Sequence, residues 1–226
     1  MKSKFCFALS ALTAVAALSS ASAYAQSQGS WLVRGGFMQL APQVTSGVLS
    51  APSLAGVQTS VSNSTQFAGG ITYMVSDNLA MDLPLALPFQ HDLYGAGSIT
   101  GVGKIGDTQV IPATLMLQYR FGAAGAVFRP YLGLGATYAK FDGEHSTALL
   151  SGLTGGTPGN PTRLSIQSKL AATLQVGASY KIDERWFIDG AITKTPLKTR
   201  NTLSTGQTLD ITLNPIGISL GIGRLF

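Results

Sequence analysis

The chain has 226 residues, of which 45% are hydrophobic and only 11% are charged. Beyond the extreme N-terminus it has no run of about 18 consecutive apolar residues, so we expect no transmembrane helix. The formal net charge is +5, but the basic residues are scattered, and we expect no nucleic-acid partner. A chain this apolar without a helical span can cross a membrane only as a closed barrel of strands.

Residues 1–25 have the three parts of a secretory signal peptide. These are a basic segment (Lys2, Lys4), an apolar segment (residues 5–18) and a small-x-small cleavage motif (residues 23–25). A membrane anchor is the alternative, but the apolar segment is short for one. We expect cleavage after Ala25, which leaves residues 26–226 as one transmembrane β-barrel domain. The single cysteine, Cys6, is lost with the signal peptide, so we expect no disulfide in the mature chain.

From residue 31 onward the sequence alternates with period two, which is typical of strands with one apolar face. The alternation predicts eight strands, and their outward side chains are, in chain order, Trp31, Val33, Gly35 and Phe37; Phe67, Ile71, Tyr73 and Val75; Leu79, Met81, Leu83, Leu85, Leu87 and Phe89; Ile111, Leu115, Leu117, Tyr119 and Phe121; Leu132, Leu134 and Tyr138; Leu170, Leu174, Val176 and Tyr180; Trp186, Ile188 and Ile192; and Ile216, Ile218, Leu220 and Ile222. In the last strand the opposite face carries only glycine and serine. Large apolar side chains toward lipid and small ones toward a narrow bore predict an all-β fold, an eight-stranded antiparallel transmembrane β-barrel.

The predicted connections alternate in length, as in outer-membrane barrels with short periplasmic turns and long external loops. Short ones are predicted at residues 76–78, 122–126 and 183–185, and long ones at residues 43–63, 91–108, 142–166 and 200–210. Within the third long connection we expect residues 151–157 to be solvent-exposed. Seven aromatic residues fall near the short turns: Trp31, Tyr73, Tyr119, Phe121, Tyr180, Trp186 and Phe226. They predict an interfacial girdle, with ordinary core aromatics as the alternative.

Five segments and the C-terminal residue carry a recognisable family pattern. They are residues 62–65 (SNST), 73–78 (YMVSDN), 87–91 (LPFQH), 112–122 (PATLMLQYRFG) and 128–135 (FRPYLGLG), followed by Phe226. In this order, along essentially the whole mature chain, they resemble the OmpW family of small outer-membrane porins, which includes AlkL-like alkane-uptake proteins. No single segment is specific, and the resemblance depends on their combination.

The resemblance implies a narrow barrel in the cell outer membrane, with an apolar upper lumen, a lower constriction and a role in the passage of small hydrophobic solutes. It also implies that the barrel-assembly machinery reads Phe226. Members of the family carry a large apolar residue facing the lumen in strand seven, and the matching position here is Thr193, which departs from that pattern. Arg224 is a second departure, near enough to the interface to extend toward water.

The inward residues differ with height along the predicted barrel. Near the short turns they are charged or polar: Arg34, Asp82, Gln118, Arg120, Gln175, Lys181 and Asp189. Near the long loops they are mostly apolar: Met38, Leu40, Ala68, Ala86, Pro88, Val110, Pro112, Ala139 and Leu197. An eight-stranded barrel is barely wide enough for its own side chains, so we expect the arginines to pair with Asp82 and Asp189 in a floor beneath an apolar cup. The compatible alternative is that these charges only fill the interior.

A charged floor would block a hydrophobic solute that enters from above, and the prolines indicate another route. Proline cannot donate to a β-ladder and is expected at edges or breaks. Pro88 and Pro112 fall on neighbouring strands near the outer end, where they would weaken the seam. We therefore predict a lateral opening there that releases solute into the membrane. Bulges that only bend the strands are the alternative.

The mature chain has few residues suited to catalysis or to metal binding. It has no cysteine and two histidines, His91 and His145, both predicted in external loops. The pair of His91 and Asp92 could imitate a catalytic pair, but no further partner has the right spacing. We therefore expect no enzyme activity, no metal and no cofactor.

Three hypotheses for function follow. The first is an outer-membrane channel for small hydrophobic solutes, with outer-membrane lipids, those solutes and the barrel-assembly machinery as partners. The second is a structural or adhesive barrel of the OmpA or OmpX kind, which predicts a lumen packed with polar side chains from top to bottom. The third is a lipid-modifying enzyme.

Overall fold

The computed structural model describes residues 25–226, so the predicted signal peptide, except Ala25, lies outside the described residues. Within them the strands are β1 (Trp31–Ala41), β2 (Thr45–Ser46), β3 (Val57–Val61), β4 (Ser64–Met74), β5 (Leu79–Ala86), β6 (Phe89–Gly97), β7 (Lys104–Arg120), β8 (Phe128–Ser146), β9 (Leu164–Ile166), β10 (Lys169–Lys181), β11 (Trp186–Lys194), β12 (Lys198–Leu203), β13 (Thr208–Thr212) and β14 (Ile216–Leu225). One helix, α1 (Ala148–Thr154), lies between β8 and β9.

Eight runs of strand close into a barrel. One run consists of β5 followed by β6, and the other seven are β1, β4, β7, β8, β10, β11 and β14. All neighbours are antiparallel; the first strand pairs with the last, and β7 pairs with β8 to complete the ring. The predicted eight-stranded antiparallel barrel is confirmed. Closure satisfies the backbone groups that an open sheet edge would leave exposed.

The outer face of the barrel is an apolar belt. Phe37, Leu170 and Leu220 are 64%, 70% and 65% exposed, as the alternation predicts. On β8 the outward row changes from Tyr138 to the charged Lys140, which marks the outer limit of the belt. A spanning strand needs only about 9–11 residues, so the 17 residues of β7 and the 19 of β8 extend well beyond the belt.

Aromatic rings lie at the short-turn end of this belt. The Trp31 and Tyr73 ring centroids are 4.8 Å apart, and those of Tyr119 and Phe121 are 5.0 Å apart. This is the level at which a barrel places aromatic side chains against the membrane interface. The described residues contain no helix that is long and apolar enough to cross a membrane.

The side-chain alternation shifts by one residue between β5 and β6. Leu87 is 55% exposed on the outer face, whereas Phe89, which the sequence predicts to point outward with it, is fully buried. Side chains along a strand alternate between its two faces with period two. The break at residues 87–88 shifts this alternation by one residue, so every side chain of β6 lies on the face opposite to the one predicted. The prediction for Phe89 is therefore wrong.

The external connections are folded into a second layer above the barrel. Strands β2, β13, β12 and β9 form a four-stranded sheet, and β3 pairs with β6. Their apolar side chains share a core: Leu49, Val57, Leu93, Ile99, Ile105, Leu150, Leu203, Leu209 and Ile211. The long loop predicted at residues 91–108 is consequently mostly strand, and His91 lies in β6 rather than in a loop.

The prediction that residues 151–157 are solvent-exposed holds only in part: Gly152, Gly155 and Thr157 are exposed, whereas the first four residues belong to a helix with a buried side. Helix α1 begins after Thr147, whose hydroxyl accepts a hydrogen bond from the Leu150 amide, and it ends at Gly155 in the left-handed conformation (φ 84°). Ser151 and Thr154 are both buried, and the Thr154 hydroxyl donates to the Leu150 carbonyl at 2.7 Å. The helix packs Leu150 into the external core, which is why its polar neighbours are buried with it.

Candidate functional site: a lumen cavity above a charged floor

A cavity of about 130 Å³ occupies the upper lumen and continues into the external layer. Eight residues predicted for the upper lumen line it: Met38, Leu40, Ala68, Ala86, Val110, Pro112, Ala139 and Leu197. A single water molecule needs about 10–15 Å³ on the same measure, so the cavity has room for roughly ten groups of that size. It can hold a small organic molecule.

The outer part of the cavity wall is an apolar cluster. Val110, Ala139 and Leu197 pack there with Phe141 and Ile166. Sequence reasoning missed Phe141 because it falls at the end of a predicted strand, and it missed Ile166 because that residue falls in a predicted external loop. Their alternation with polar neighbours in β8 and β9 was the available signal.

A row of threonine hydroxyls crosses the cavity wall below this cluster. Thr114 bonds to Thr137 at 2.8 Å, Thr137 to Thr173 at 2.5 Å, and Thr173 to Thr195 at 2.9 Å. The row begins on β7 and crosses β8 and β10 to end just beyond β11. The lumen is therefore not uniformly apolar, which sequence reasoning did not anticipate.

Below the cavity, Arg34 and Asp82 form a buried ion pair. The two terminal nitrogens of the Arg34 guanidinium donate to the two Asp82 carboxylate oxygens at 2.7 and 2.9 Å. The Thr72 hydroxyl donates to Asp82 Oδ1 at 2.6 Å, and the Asp82 side chain is fully buried. Such a bidentate, charge-assisted pair is the geometry that makes burial of two charges tolerable.

The second carboxylate of the floor, Asp189, lies beside this pair and lines the bottom of the cavity. Its Oδ1 is 3.6 Å from Arg34 Nε and accepts a hydrogen bond from the Tyr131 hydroxyl at 3.0 Å. The Arg120 guanidinium lies over the Tyr131 ring, 4.6 Å from its centroid. The structure thus brings together the two arginines and two aspartates that the sequence predicted for the floor, with Tyr131 between them. Arg34 lies within ion-pair distance of both aspartates, whereas the predicted pairing of Arg120 with an aspartate is not found among the described residues.

Arg120 also ties the floor to the N-terminal segment. It donates to Gln118 Oε1 at 2.9 Å, to Ser179 Oγ at 3.1 Å and to Gln26 Oε1 at 3.0 Å. Gln118 in turn donates to Gln175 Oε1 at 2.8 Å. Gln26 was not predicted, since nothing in the sequence indicates that the residue after the cleavage motif folds into the bore.

At the short-turn end of the bore lies Arg129, another residue that sequence reasoning missed. Its guanidinium donates to the Gln26 carbonyl at 2.7 Å and to the Asp77 carbonyl at 2.6 Å. Lys181, which the sequence assigned to the floor, lies instead at the partly exposed end of β10, near Asp183. Lys181 is outside the buried cluster.

The C-terminal residue completes the ring of backbone pairs. Phe226 and Trp31 exchange two backbone hydrogen bonds, of 2.8 and 3.0 Å. The Arg224 guanidinium lies 5.1 Å from the Phe226 ring and 5.9 Å from the Trp186 ring, among the interfacial aromatics. This position explains how a charged residue is accommodated on the last strand.

The barrel wall has a gap between the third and fourth runs. The last register pair below the gap is Asp82–Met116, and the first above it is Phe89–Val110. Within the described chain, residues 83–88 and 111–115 lie between these pairs without register partners across this seam. On their other sides both strands stay paired, β5 with β4 and β7 with β8. The loss of pairing is confined to one seam.

The two prolines predicted to weaken a seam lie at this gap. Pro88 falls in the break between β5 and β6. Pro112 lies on the opposite side, paired with Ala139 of β8 and lining the cavity. Neither proline can donate a backbone hydrogen bond to a ladder, so the gap lies where two backbone donors are missing.

His91 lies in the upper wall, above the apolar belt. It is 2% exposed, it lines the cavity, and its Nδ1 is 2.7 Å from the Ser62 carbonyl oxygen. Burial lowers the pKa of the imidazole below its ordinary value, against opposing contributions from the Ser62 hydrogen bond and the Asp92 charge. The neutral form, with Nδ1 donating to Ser62, is the one this environment favours.

An exposed polar cluster lies outside the cavity. Lys104 Nζ is 2.6 Å from Asp92 Oδ1 and 2.9 Å from Asp107 Oδ1, and His145 Nδ1 is 3.2 Å from Asp107 Oδ2. The Lys104 ammonium holds the pKa of Asp107 below its usual range. Among residues 25–226, no group of three or more His, Cys, Asp or Glu side chains is arranged to hold a metal ion.

Residues 27–226 match the OmpW family. The chain belongs to this family. Outer membrane protein W of Vibrio cholerae serotype O1 is 31% identical over 209 residues, covering 90% of this chain and 92% of the relative. Outer membrane protein AlkL of Ectopseudomonas oleovorans is 27% identical over 204 residues, covering 88% and 83%.

Solved structures agree with the fold of this OmpW-family chain. The NMR structure of AlkL in lipid bilayers has a TM-score of 0.68 at 26% identity, with 92% of this chain and 93% of AlkL covered. The crystal structure of OprG from Pseudomonas aeruginosa has a TM-score of 0.79 at 24% identity and supports the fold alone, with 91% and 99% covered. The predicted family and outer-membrane location are confirmed.

Proposed function

We propose that this OmpW-family barrel is a channel for small hydrophobic molecules, which enter the cavity from outside and leave sideways into the membrane through the gap between β5 and β7. One observation carries the proposal: an apolar cavity adjoins the unpaired stretch of the wall and is closed below by a charged floor. Partners in this proposal are the solute and the outer-membrane lipids.

A solute could leave the cavity in two ways, downward through the floor or sideways through the gap in the wall. A downward path requires separating side chains such as Asp82, Gln118 and Arg120, all of which are fully buried and hydrogen-bonded. Breaking the ion pair of Arg34 and Asp82 leaves uncompensated charge in a buried environment. A sideways path between residues 83–88 and 111–115 breaks no ladder hydrogen bond across that seam and exposes an apolar solute only to lipid. The lateral route therefore has the lower barrier.

The structural or adhesive alternative has a different requirement. It needs no cavity and predicts polar side chains filling the whole bore, as a plug that stabilises the barrel. The apolar cluster around Phe141 and Leu197 and the empty volume beside it favour the channel.

We also propose that Phe226 is part of the signal read by the barrel-assembly machinery. Its position supports this proposal, because Phe226 directly follows β14, the strand that pairs with β1 to close the ring, and exchanges backbone hydrogen bonds with Trp31. Deletion of Phe226 is expected to lower the amount of folded barrel in the outer membrane without changing the chain's synthesis.

The channel is tested by solute uptake into cells that carry the chain in their outer membrane, with empty-vector cells as reference. Toluene and octane are compared with glycerol and glucose. We expect faster uptake of the apolar pair only, and loss of that gain in Ala139→Trp, which fills the cavity. Equal gains for apolar and polar solutes, or no gain for either, would overturn the proposal. Heat-dependent mobility on gels verifies that each variant is folded.

A further inference from the structure

The outward side chains at the outer limit of the apolar belt are basic on one side of the barrel. On β8 the outward row changes from Tyr138 to Lys140, and on β11 it changes from Ile192 to Lys194. The alternation of exposure continues beyond β11, so that Lys198, which begins β12, is exposed as well. Because β8, β10 and β11 are neighbours in the ring, the three lysines belong to one sector of the rim.

The opposite side of the rim is neutral. The exposed residues that follow the belt on β1 and β4 are Gln39 and Thr65, which are register partners two positions beyond the pair of Phe37 and Phe67. On β6 the exposed residue at the rim is Gln90. Positive charge is therefore a property of one sector and not of the rim as a whole.

Two of the three lysines in this sector have no counter-ion. The exposed aspartates nearby are already paired, because Asp142 Oδ2 lies 3.3 Å from Lys140 Nζ and Asp210 Oδ1 lies 2.6 Å from an arginine of β12. Among residues 25–226, the ammonium groups of Lys194 and Lys198 have neither an ion-pair nor a hydrogen-bond partner. They are four residues apart on extended chain, or about 13 Å.

The lipid-facing surface beside these lysines has a shallow depression. Ala136 of β8 and Ala172 of β10 are register partners, and both are exposed on the outer face. The next outward pair below them is the larger Leu134 and Leu174, and Lys194 is the register partner of Leu174 on β11. An acyl chain can lie across the two alanines while its headgroup reaches the lysines.

We propose that this basic sector (Lys194 and Lys198, with Lys140 beside them) binds the phosphate groups of a phosphorylated glycolipid of the outer leaflet, of the lipid A type. In outer-membrane barrels the long connections lie outside the cell, so this rim meets the outer leaflet. Lysine stems can lie along the apolar surface while their ammonium groups extend to the headgroups, where phosphate oxygens accept charge-assisted hydrogen bonds. The site does not depend on the proposed channel, whose gap lies between β5 and β7.

Titration of the purified, folded barrel with two lipids tests this proposal by native mass spectrometry. The lipids are lipid A with two phosphates and the same lipid after removal of both phosphates. We expect the unmodified chain to bind the phosphorylated lipid about tenfold more tightly, and the double variant Lys194→Gln, Lys198→Gln to lose that preference. The matched control Lys181→Gln, Arg185→Gln removes two positive charges at the short-turn end of the barrel and should keep the preference.

Three results would overturn the proposal. The first is equal binding of the two lipids to the unmodified chain, and the second is an equal loss of preference in both double variants. The third is displacement of lipid A by an equal concentration of inorganic phosphate, which would assign the lysines to soluble anions instead of lipid. Heat-dependent mobility on gels verifies that each variant is folded, and the comparison of the two lipids on the unmodified chain needs no variant.

Discussion

The Arg34 guanidinium donates to both oxygens of the Asp82 carboxylate, at 2.7 and 2.9 Å, in the lower half of the barrel, where both side chains are largely or fully buried. The two residues are 48 positions apart in the chain and lie on β1 and β5, which are separated by β4. The pair therefore reaches across a neighbouring strand and ties three runs of the wall together through the bore.

Removal of one partner should destabilise the barrel more than removal of both. Arg34→Met leaves a buried carboxylate with one hydroxyl donor, and we expect a loss of about 3–5 kcal/mol in the free energy of unfolding. The double variant Arg34→Met, Asp82→Leu should recover much of that loss, because the Asp82 carboxylate no longer stays buried without its cation. Urea unfolding in lipid vesicles measures the unmodified chain, the single variants Arg34→Met and Asp82→Leu, and the double variant. A double variant as unstable as the sum of the single ones contradicts this account.

Linking the two sides of the wall gap should stop solute uptake. Residues 26–226 contain no cysteine, so Ala86→Cys with Pro112→Cys can be joined by a short bifunctional maleimide. We expect most of the uptake of an apolar solute to be lost. The matched control joins Pro112→Cys to Ala139→Cys, which are register partners on the intact β7–β8 seam and place the same reagent in the same cavity. Similar inhibition by both cross-links would mean that the reagent only blocks the lumen.

Acid should loosen the outer wall through His91. Its pKa is lowered in the folded barrel, chiefly by burial, whereas an unfolded histidine titrates near 6.5. The unfolded chain therefore binds the proton more readily, so the stability contribution is complete above about pH 6.5 and declines as the pH falls below that value.

The measurement is the free energy of unfolding between pH 7 and pH 5. His91→Gln, which can still donate to the Ser62 carbonyl, should show a shallower dependence on pH than the unmodified chain. His145→Gln removes the other, exposed histidine and serves as the control. Identical slopes in the unmodified chain and His91→Gln would show that His91 is not responsible.

A methyl group at Gly36 should prevent tight closure of the barrel. A Cβ atom there would lie 2.1 Å from the Leu220 carbonyl oxygen and 2.5 Å from the Gly221 Cα, both backbone atoms of β14 that cannot turn aside. We expect Gly36→Ala to cost about 1–3 kcal/mol or to abolish folding. Gly125→Ala, in the short turn between β7 and β8, meets nothing within 4 Å and should fold normally. Folding yield is read from heat-dependent gel mobility, and equal yields would refute the close-approach argument.

Sequence reasoning located the barrel strands because each strand presents one face to lipid and one to the bore, and side chains alternate between the two. It misassigned Phe89, where a break of two residues between β5 and β6 reverses the facing. It also took the external connections for loops, since a second apolar core there depends on short strands from four distant segments.

The number of strands, their lipid-facing residues and the separation of polar from apolar lumen residues follow from the amino-acid sequence alone, because they depend on a local pattern of period two. The contacts that make the site do not. Gln26 and Ser179 are 153 positions apart and meet under the floor, and Asp189 Oδ1 lies close to both the Tyr131 hydroxyl and Arg34 Nε. Such contacts between distant residues are set by the register at which the barrel closes. Register is a property of the whole ring of strands rather than of any single strand.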